Sequence, residues 1–233
     1  MEAQPKCNLI IDSCCDLPFE VIDRPGVQLL EFPYIDEKGE HSDDLYRTIT
    51  PHEFYEGMRA GSQPSTAQVP VTVFQDVFSK AIESGVPTVY LSFTSGLSGS
   101  FNTAVMMRDQ LIAEHPEAEL YVVDTYLASV AEALLVYEAL NQRDNGMTAR
   151  ELAAWAEEAR YFVDAEFMVD DLESLRRGGR IPSTVAYAGA KLDVKPLLNI
   201  SIEGKLALTG VARGRKKGIR QLAEYCSKRM TDQ

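Results

Sequence analysis

Apolar positions along this chain alternate between two spacings. Short β-branched runs recur: Leu9-Ile10-Ile11 closing on Asp12, Val89-Tyr90-Leu91 leading to Phe93, and Tyr121-Val122-Val123 closing on Asp124. Runs of that length, bounded by turn residues, predict buried strands. Between them the spacing lengthens to the helical period. Phe101, Ala104, Val105, Leu111 and Ile112 predict one helix. Val73, Phe74, Val77, Phe78, Ala81 and Ile82 predict the inner face of another over 70–84, stopped by Gly85 and Pro87. Ala128, Ala131, Leu134, Leu135 and Leu140 predict a third over 126–142. Thr50-Pro51 with Glu53, and Thr148 with Glu151, have the form of helix starts. Residues 27–35 predict a further strand region broken at Pro33, followed by a polar turn at 36–39 and an exposed charged stretch at 41–47. Strands alternating with helices in this way predict an α/β fold on a mostly parallel sheet.

The second half changes character. Residues 165–170 predict a strand, and 172–180 a short helix ending at Gly178-Gly179. Residues 181–192 are rich in Ala and Gly and suit close packing. Residues 197–202 and 205–211 predict a hairpin over Glu203-Gly204. The cluster Arg213-Gly-Arg-Lys-Lys217 opens a last helix with Ile219, Leu222, Tyr225 and Cys226 facing inward. The expected organisation is an N-terminal α/β domain at 1–160 and a C-terminal α/β domain, with a hairpin in its sheet, at 161–233.

Three predicted strands end in Asp12-Ser13, Thr94-Ser95 and Asp124-Thr125, and each feeds a helix. In an open parallel sheet the strand C-termini share one edge, and ligands bind outside it. The most informative stretch is 94–102, Thr-Ser-Gly-Leu-Ser-Gly-Ser-Phe-Asn. Its glycines allow a sharp turn and a close approach, its serines can cap, and the helix that follows offers unpaired N–H groups to an anion. A phosphate or a carboxylate would suit it. No Lys follows the last Gly, so it is not a Walker loop. Ser100 stands where a nucleophile elbow needs Gly, and His115, the only histidine after Ser98, closes the same helix. A serine hydrolase is therefore disfavoured. Haloacid-type phosphatases also carry an Asp at the end of their first strand, but their second Asp position is Cys14 here. A small phosphatase or hydrolase using Asp12, Asp16 or Ser98 is the enzymatic alternative. Arg180, past the double Gly, is a candidate counter-charge for an anion.

The formal net charge of −12 over 233 residues argues against nucleic acid and anionic membrane surfaces as partners. With 45% hydrophobic and 25% charged residues, no run of membrane-spanning length and no signal-peptide shape at residues 1–6, the expected location is the cytoplasm. Cys7, Cys14, Cys15 and Cys226 form no Cys-x-x-Cys pattern and have no neighbouring histidine, which predicts reduced, mostly buried thiols and no zinc. The basic cluster at 213–217 reads equally as a solvated helix start or as a docking patch for a partner.

Several blocks, taken together and in order, carry a resemblance. They are Ile11-Asp-Ser13 with Asp16-Leu-Pro18, Ser62-Gln-Pro-Ser65, Ser95-Gly-Leu-Ser-Gly99, Val123-Asp-Thr125 with Ala128-Ser129, Leu175-x-Arg-Gly-Gly-Arg-Ile181, Lys195-Pro196, and Gly204-Lys-Leu206 with the 213–217 cluster. The chain resembles the DegV family of bacterial fatty-acid-binding proteins. That resemblance implies a two-domain carrier, not an enzyme, with no cofactor or metal. One long-chain fatty acid would lie in a tunnel between the domains. Its carboxylate would be presented to a fatty acid kinase, which makes an acyl phosphate for phospholipid synthesis. It places the carboxylate at Ser62, Thr94, Ser95, Ser98 and Arg180, and the tail along apolar faces including residues 185–190. Gly61 replaces the family's Thr, and Ser13-Cys-Cys-Asp16 replaces its Ser-Thr-Ala-Asp. The family pattern continues past the last helix with a Gly-flanked histidine, so the C-terminal domain is expected to be truncated.

Overall fold

The structure is a computed structural model that describes residues 5–170, 172–181 and 194–230. Most of the Ala/Gly-rich stretch expected to pack closely, including the 185–190 segment assigned to the acyl chain, lies outside the described residues. The chain divides into two compact units, Met1–Val163 and Asp164–Gln233.

The first unit runs β1 (Asn8–Asp12), α1 (Phe19–Ile22), β2 (Val27–Leu30), β3 (Pro33–Asp36), β4 (Gly39–Ser42) and α2 (Pro51–Arg59). It continues with β5 (Ser65–Thr66), α3 (Val71–Glu83), β6 (Thr88–Ser92), α4 (Ser100–Glu114), β7 (Leu120–Asp124), α5 (Ser129–Asp144) and α6 (Ala149–Ala159). Four strands form a parallel sheet in the order β2-β1-β6-β7. Because side chains alternate along a strand, the sheet buries two faces. Leu9, Ile11, Val89, Leu91 and Val123 pack with Val136, Leu140, Leu152 and Ala156 of α5 and α6. Ile10, Tyr90 and Leu120 pack on the other side with Phe74 and Phe78 of α3 and Ala104, Met107 and Leu111 of α4. Each such side chain contributes about 1.5–3 kcal/mol by leaving water.

Local chemistry explains the helix starts. Thr50 and Thr148 each accept from the backbone N–H three residues on, and Glu53 and Glu151 reach back to the cap N–H, closing two capping boxes. A buried guanidinium ties the far end of the sheet. Arg143 of α5 donates through Nε to Cys7 O at 2.9 Å and through Nη2 to Pro25 O.

Several expectations need correction. Pro33 does not interrupt one strand; it opens β3, which belongs to a separate antiparallel sheet ordered β4-β3-β5. The 41–47 stretch is not all exposed: Asp44 and Leu45 are buried, Leu45 within the core beneath α5 and α6. Val73 and Leu134, expected inside, are exposed, Leu134 at 59%. Both lie at the edge of an apolar arc, on positions that nothing in their unit covers.

The second unit contains β8 (Glu166–Met168), α7 (Glu173–Arg177), β9 (Val194–Ile200), β10 (Leu206–Arg213) and α8 (Arg215–Arg229). Its antiparallel sheet runs β10-β9-β8, with the hairpin turning at Gly204, whose φ of 73° suits glycine. Ile219 and Cys226 do not face inward as expected. The buried position on α8 is Gly218, where a Cβ would meet Met168 Sδ of β8. All four cysteines are free, two of them buried.

Candidate functional site

Three strand ends meet at one edge of the parallel sheet: Asp12 of β1, Ser92 of β6 and Asp124 of β7. Strand order diverges in both directions from the β1–β6 pair, with β2 beyond β1 and β7 beyond β6. That divergence opens a crevice at the strand C-termini. Asp12 bridges it. Its Oδ2 accepts from Phe93 N–H at 2.7 Å and from the Tyr90 hydroxyl at 3.0 Å, and its Oδ1 accepts from Cys14 N–H at 3.1 Å. Asp12 is fully buried. Burial pushes its carboxyl up to about 7, against the pull of the three donors.

Past Phe93 the backbone turns tightly into α4. Leu97 N–H donates to Thr94 O at 3.2 Å, and Gly96 N–H to the Thr94 hydroxyl at 3.1 Å. Thr94 N–H donates to Leu127 O at 3.1 Å. Ser95 N–H donates to Asp124 Oδ1 at 3.2 Å, and the same oxygen accepts Tyr126 N–H at 3.0 Å. The Ser98 and Ser100 hydroxyls bond each other at 3.0 Å, and Ser100 Oγ accepts Val69 N–H at 3.0 Å. Thr94, Ser98 and Ser100 therefore spend hydroxyls on the turn itself. Ser95 is half-buried, and its hydroxyl makes no hydrogen bond among the described residues.

Carboxyls surround this turn. Glu132, in the first turn of α5, is fully buried, and neither of its oxygens meets a donor. Burial, then the charges of Asp12, Asp16 and Asp124, push its carboxyl well above the usual range. Asp16 sits in the left-handed region at φ 53°, and burial raises it too, with the Ser129 hydroxyl opposing. Asp43 is raised chiefly by burial, against Leu45 N–H and the Ser13 hydroxyl.

A family model described as "uncharacterised protein, DegV family" matches residues 6–233. The chain belongs to the DegV family. A DegV domain-containing protein of Clostridium perfringens is 34% identical over 97% of this chain and 78% of its own length. A fatty acid (stearic acid)-binding protein from Eubacterium ventriosum shares the fold at a TM-score of 0.84 and 26% identity, covering 96% of this chain and 76% of that one. A DegV family protein from Thermus thermophilus, described by its fatty acid binding, matches at a TM-score of 0.80 and 28% identity, covering 96% of this chain and 78% of that one.

On this DegV fold the motif residues separate into groups. Thr94, Ser95 and Ser98 share one turn. The segment after Ser62-Gln-Pro-Ser65 is stitched to it by the Val69–Ser100 hydrogen bond, and the Gln68 amide packs on Gly99. Ser62 itself points elsewhere: its hydroxyl donates to Glu37 Oε2 at 2.8 Å, and Gln63 N–H to Glu37 Oε1 at 3.2 Å. Those donors hold the Glu37 carboxyl below its ordinary value, so it is an anion at neutral pH. Arg180 belongs to the second unit, where its Nη1 donates to Gly178 O at 2.6 Å across Gly179, which has φ 72°.

Of the residues named for the enzymatic alternative, Asp12 and Ser98 are occupied, and Asp16 is exposed. Both Asp12 oxygens are buried and bonded, and the Ser98 hydroxyl serves Ser100. His115 caps the far end of α4, fifteen residues long and so roughly 22 Å from the turn. Among the described residues no His, Cys, Asp and Glu group is arranged to hold a metal ion, and no helix is long and apolar enough to cross a membrane.

Sequence reasoning missed Glu132. A signal existed: the inward arc through Ala128, Ala131 and Leu135 also passes through position 132, so an acid stood on a core-facing stripe.

Proposed function

We propose that this DegV chain binds a long-chain fatty acid, with the carboxylate received at the turn from Thr94 to Ser98. The observation that supports this most is Ser95. Its hydroxyl makes no hydrogen bond among the described residues, it stands where the strand order diverges, and it lies five residues before the first residue of α4. Two similar solved structures belong to fatty-acid binders.

In this reading Thr94 and Ser98 shape the turn and Ser95 meets the carboxylate. Ser62 joins only after leaving Glu37, because an anion beside it repels another. Arg180 is the proposed counter-charge. If about twelve methylenes are buried at about 0.8 kcal/mol each, the tail supplies about 10 kcal/mol of gross affinity, and the head-group contacts fix orientation and exclude neutral lipids. The finer proposal, implied by the motifs, is a carrier in the cytoplasm that offers its carboxylate to a fatty acid kinase, which makes the acyl phosphate.

Native mass spectrometry of protein purified from cells tests the binding. The expected result is an added mass equal to one long-chain acid, lost or reduced in Ser95→Ala. No added mass, together with no uptake of stearic acid by delipidated protein, would overturn it. Transfer of phosphate to the bound acid by a fatty acid kinase tests the finer proposal.

A further inference from the structure

Asp12 and Glu132 pose a donor problem. Both carboxyls are fully buried, the helix that carries Glu132 packs against the 3-10 turn that Asp12 caps, and neither Glu132 oxygen meets a donor among the described residues. Two ionised acids facing one another in a dry interior repel, and an unpaired buried charge is costly. A carboxylate has about four acceptor positions, and Asp12 receives three donors, from Phe93, Tyr90 and Cys14, so it has room for one more. A proton on Glu132 fills that place.

We propose that Glu132 is a positioning residue for the ligand turn: it carries a proton and donates it to Asp12, which in turn grips the Phe93 N–H at the entry to the turn. The surroundings support the neutral form from every side. Asp16 faces Glu132 from the loop after β1 and Asp124 from β7. Tyr90 faces it from β6, and Cys14 and Cys15 from the 3-10 turn after β1. These groups are acids or neutral. The α5 dipole favours an anion in its first turn. Burial beside three carboxyls outweighs it, and Glu132 is raised well above the usual range. The inference rests on the fatty-acid reading only for the identity of what the turn receives.

The test uses the full chain and the variants Glu132→Gln, which keeps a donor but cannot ionise, and Glu132→Leu, which keeps bulk without a donor. In ligand-free protein, infrared difference spectra should show a protonated carboxyl that Glu132→Gln lacks. The Phe93 amide resonance should move near neutral pH with Asp12 in both proteins, and a second step at higher pH should appear in the native protein and be absent from Glu132→Gln. Stearic acid affinity at neutral pH should remain within about twofold in Glu132→Gln and fall about tenfold in Glu132→Leu. Absence of the carboxyl signal, or identical amide titrations in native protein and Glu132→Gln, would overturn the proposal. If the amides behave as expected but no variant or native protein takes up stearic acid, the positioning pair stands and the ligand reading falls.

Discussion

The Phe93 backbone N–H donates to the Asp12 carboxylate at 2.7 Å, across the seam between β1 and β6. One bond thus ties the end of the first strand to the start of the turn proposed to receive the ligand. Anything that alters the charge or the partners of Asp12 reaches that turn without touching it.

The first consequence is a pH dependence of stability. Burial raises Asp12 from 3.8 to about 7, so between those values the folded chain holds a proton that the unfolded chain has lost. Stability then falls as pH rises through that window, by at most about 1.4 kcal/mol per unit for one group. Glu132 is raised too, chiefly by burial, and adds to the decline. The urea midpoint should be higher near pH 5 than near pH 8, and Asp12→Asn should flatten the difference. A midpoint that rises steadily over this range would refute the assignment.

Tyr90→Phe removes the hydroxyl donor at 3.0 Å from Asp12 and nothing else from the core. A charged acceptor left short of a buried donor costs about 1–3 kcal/mol. Urea unfolding followed by circular dichroism should report that loss with an unchanged m-value.

Arg143→Met keeps the side chain's length but frees the buried carbonyl of Cys7 and the carbonyl of exposed Pro25. The expected destabilisation is about 1–3 kcal/mol, because a buried acceptor loses its partner. Thermal unfolding of the variant should show a clearly lower midpoint. A change within error would mean that water replaces the guanidinium.

Arg180→Ala should weaken stearic acid by about tenfold and its methyl ester little, since only the acid carries the charge that a guanidinium recognises. Equal losses for the two ligands, measured by competition against a fluorescent acid, would remove Arg180 from the head-group site.

Thr148→Ala opens the capping box that starts α6. The cost should be about 1 kcal/mol, read from the urea midpoint, with fatty acid binding unchanged.

What could be read from the chain alone was whatever depends on near neighbours in sequence. The β-branched runs at 9–11, 89–91 and 121–123, the helical spacing between them, the caps at Thr50 and Thr148 and the hairpin at Gly204 are all short-range. Each follows from backbone sterics and local hydrogen bonds. The strand-end residues Asp12, Thr94, Ser95 and Asp124 were legible for the same reason, because a parallel sheet gathers strand C-termini at one edge.

Tertiary structure decided which groups found one another. Periodicity marks an apolar arc but not how far its cover extends, so Val73, Leu134 and Ile219 were placed inside and are exposed. A Ser-rich motif does not announce that Glu37 will claim Ser62 from twenty-five residues away. Nor does an acid on a helix reveal that it will be fully buried with no donor among the described residues. Such pairings depend on chain crossovers, and a carboxyl's charge depends on burial and neighbours that exist only once those crossovers are made.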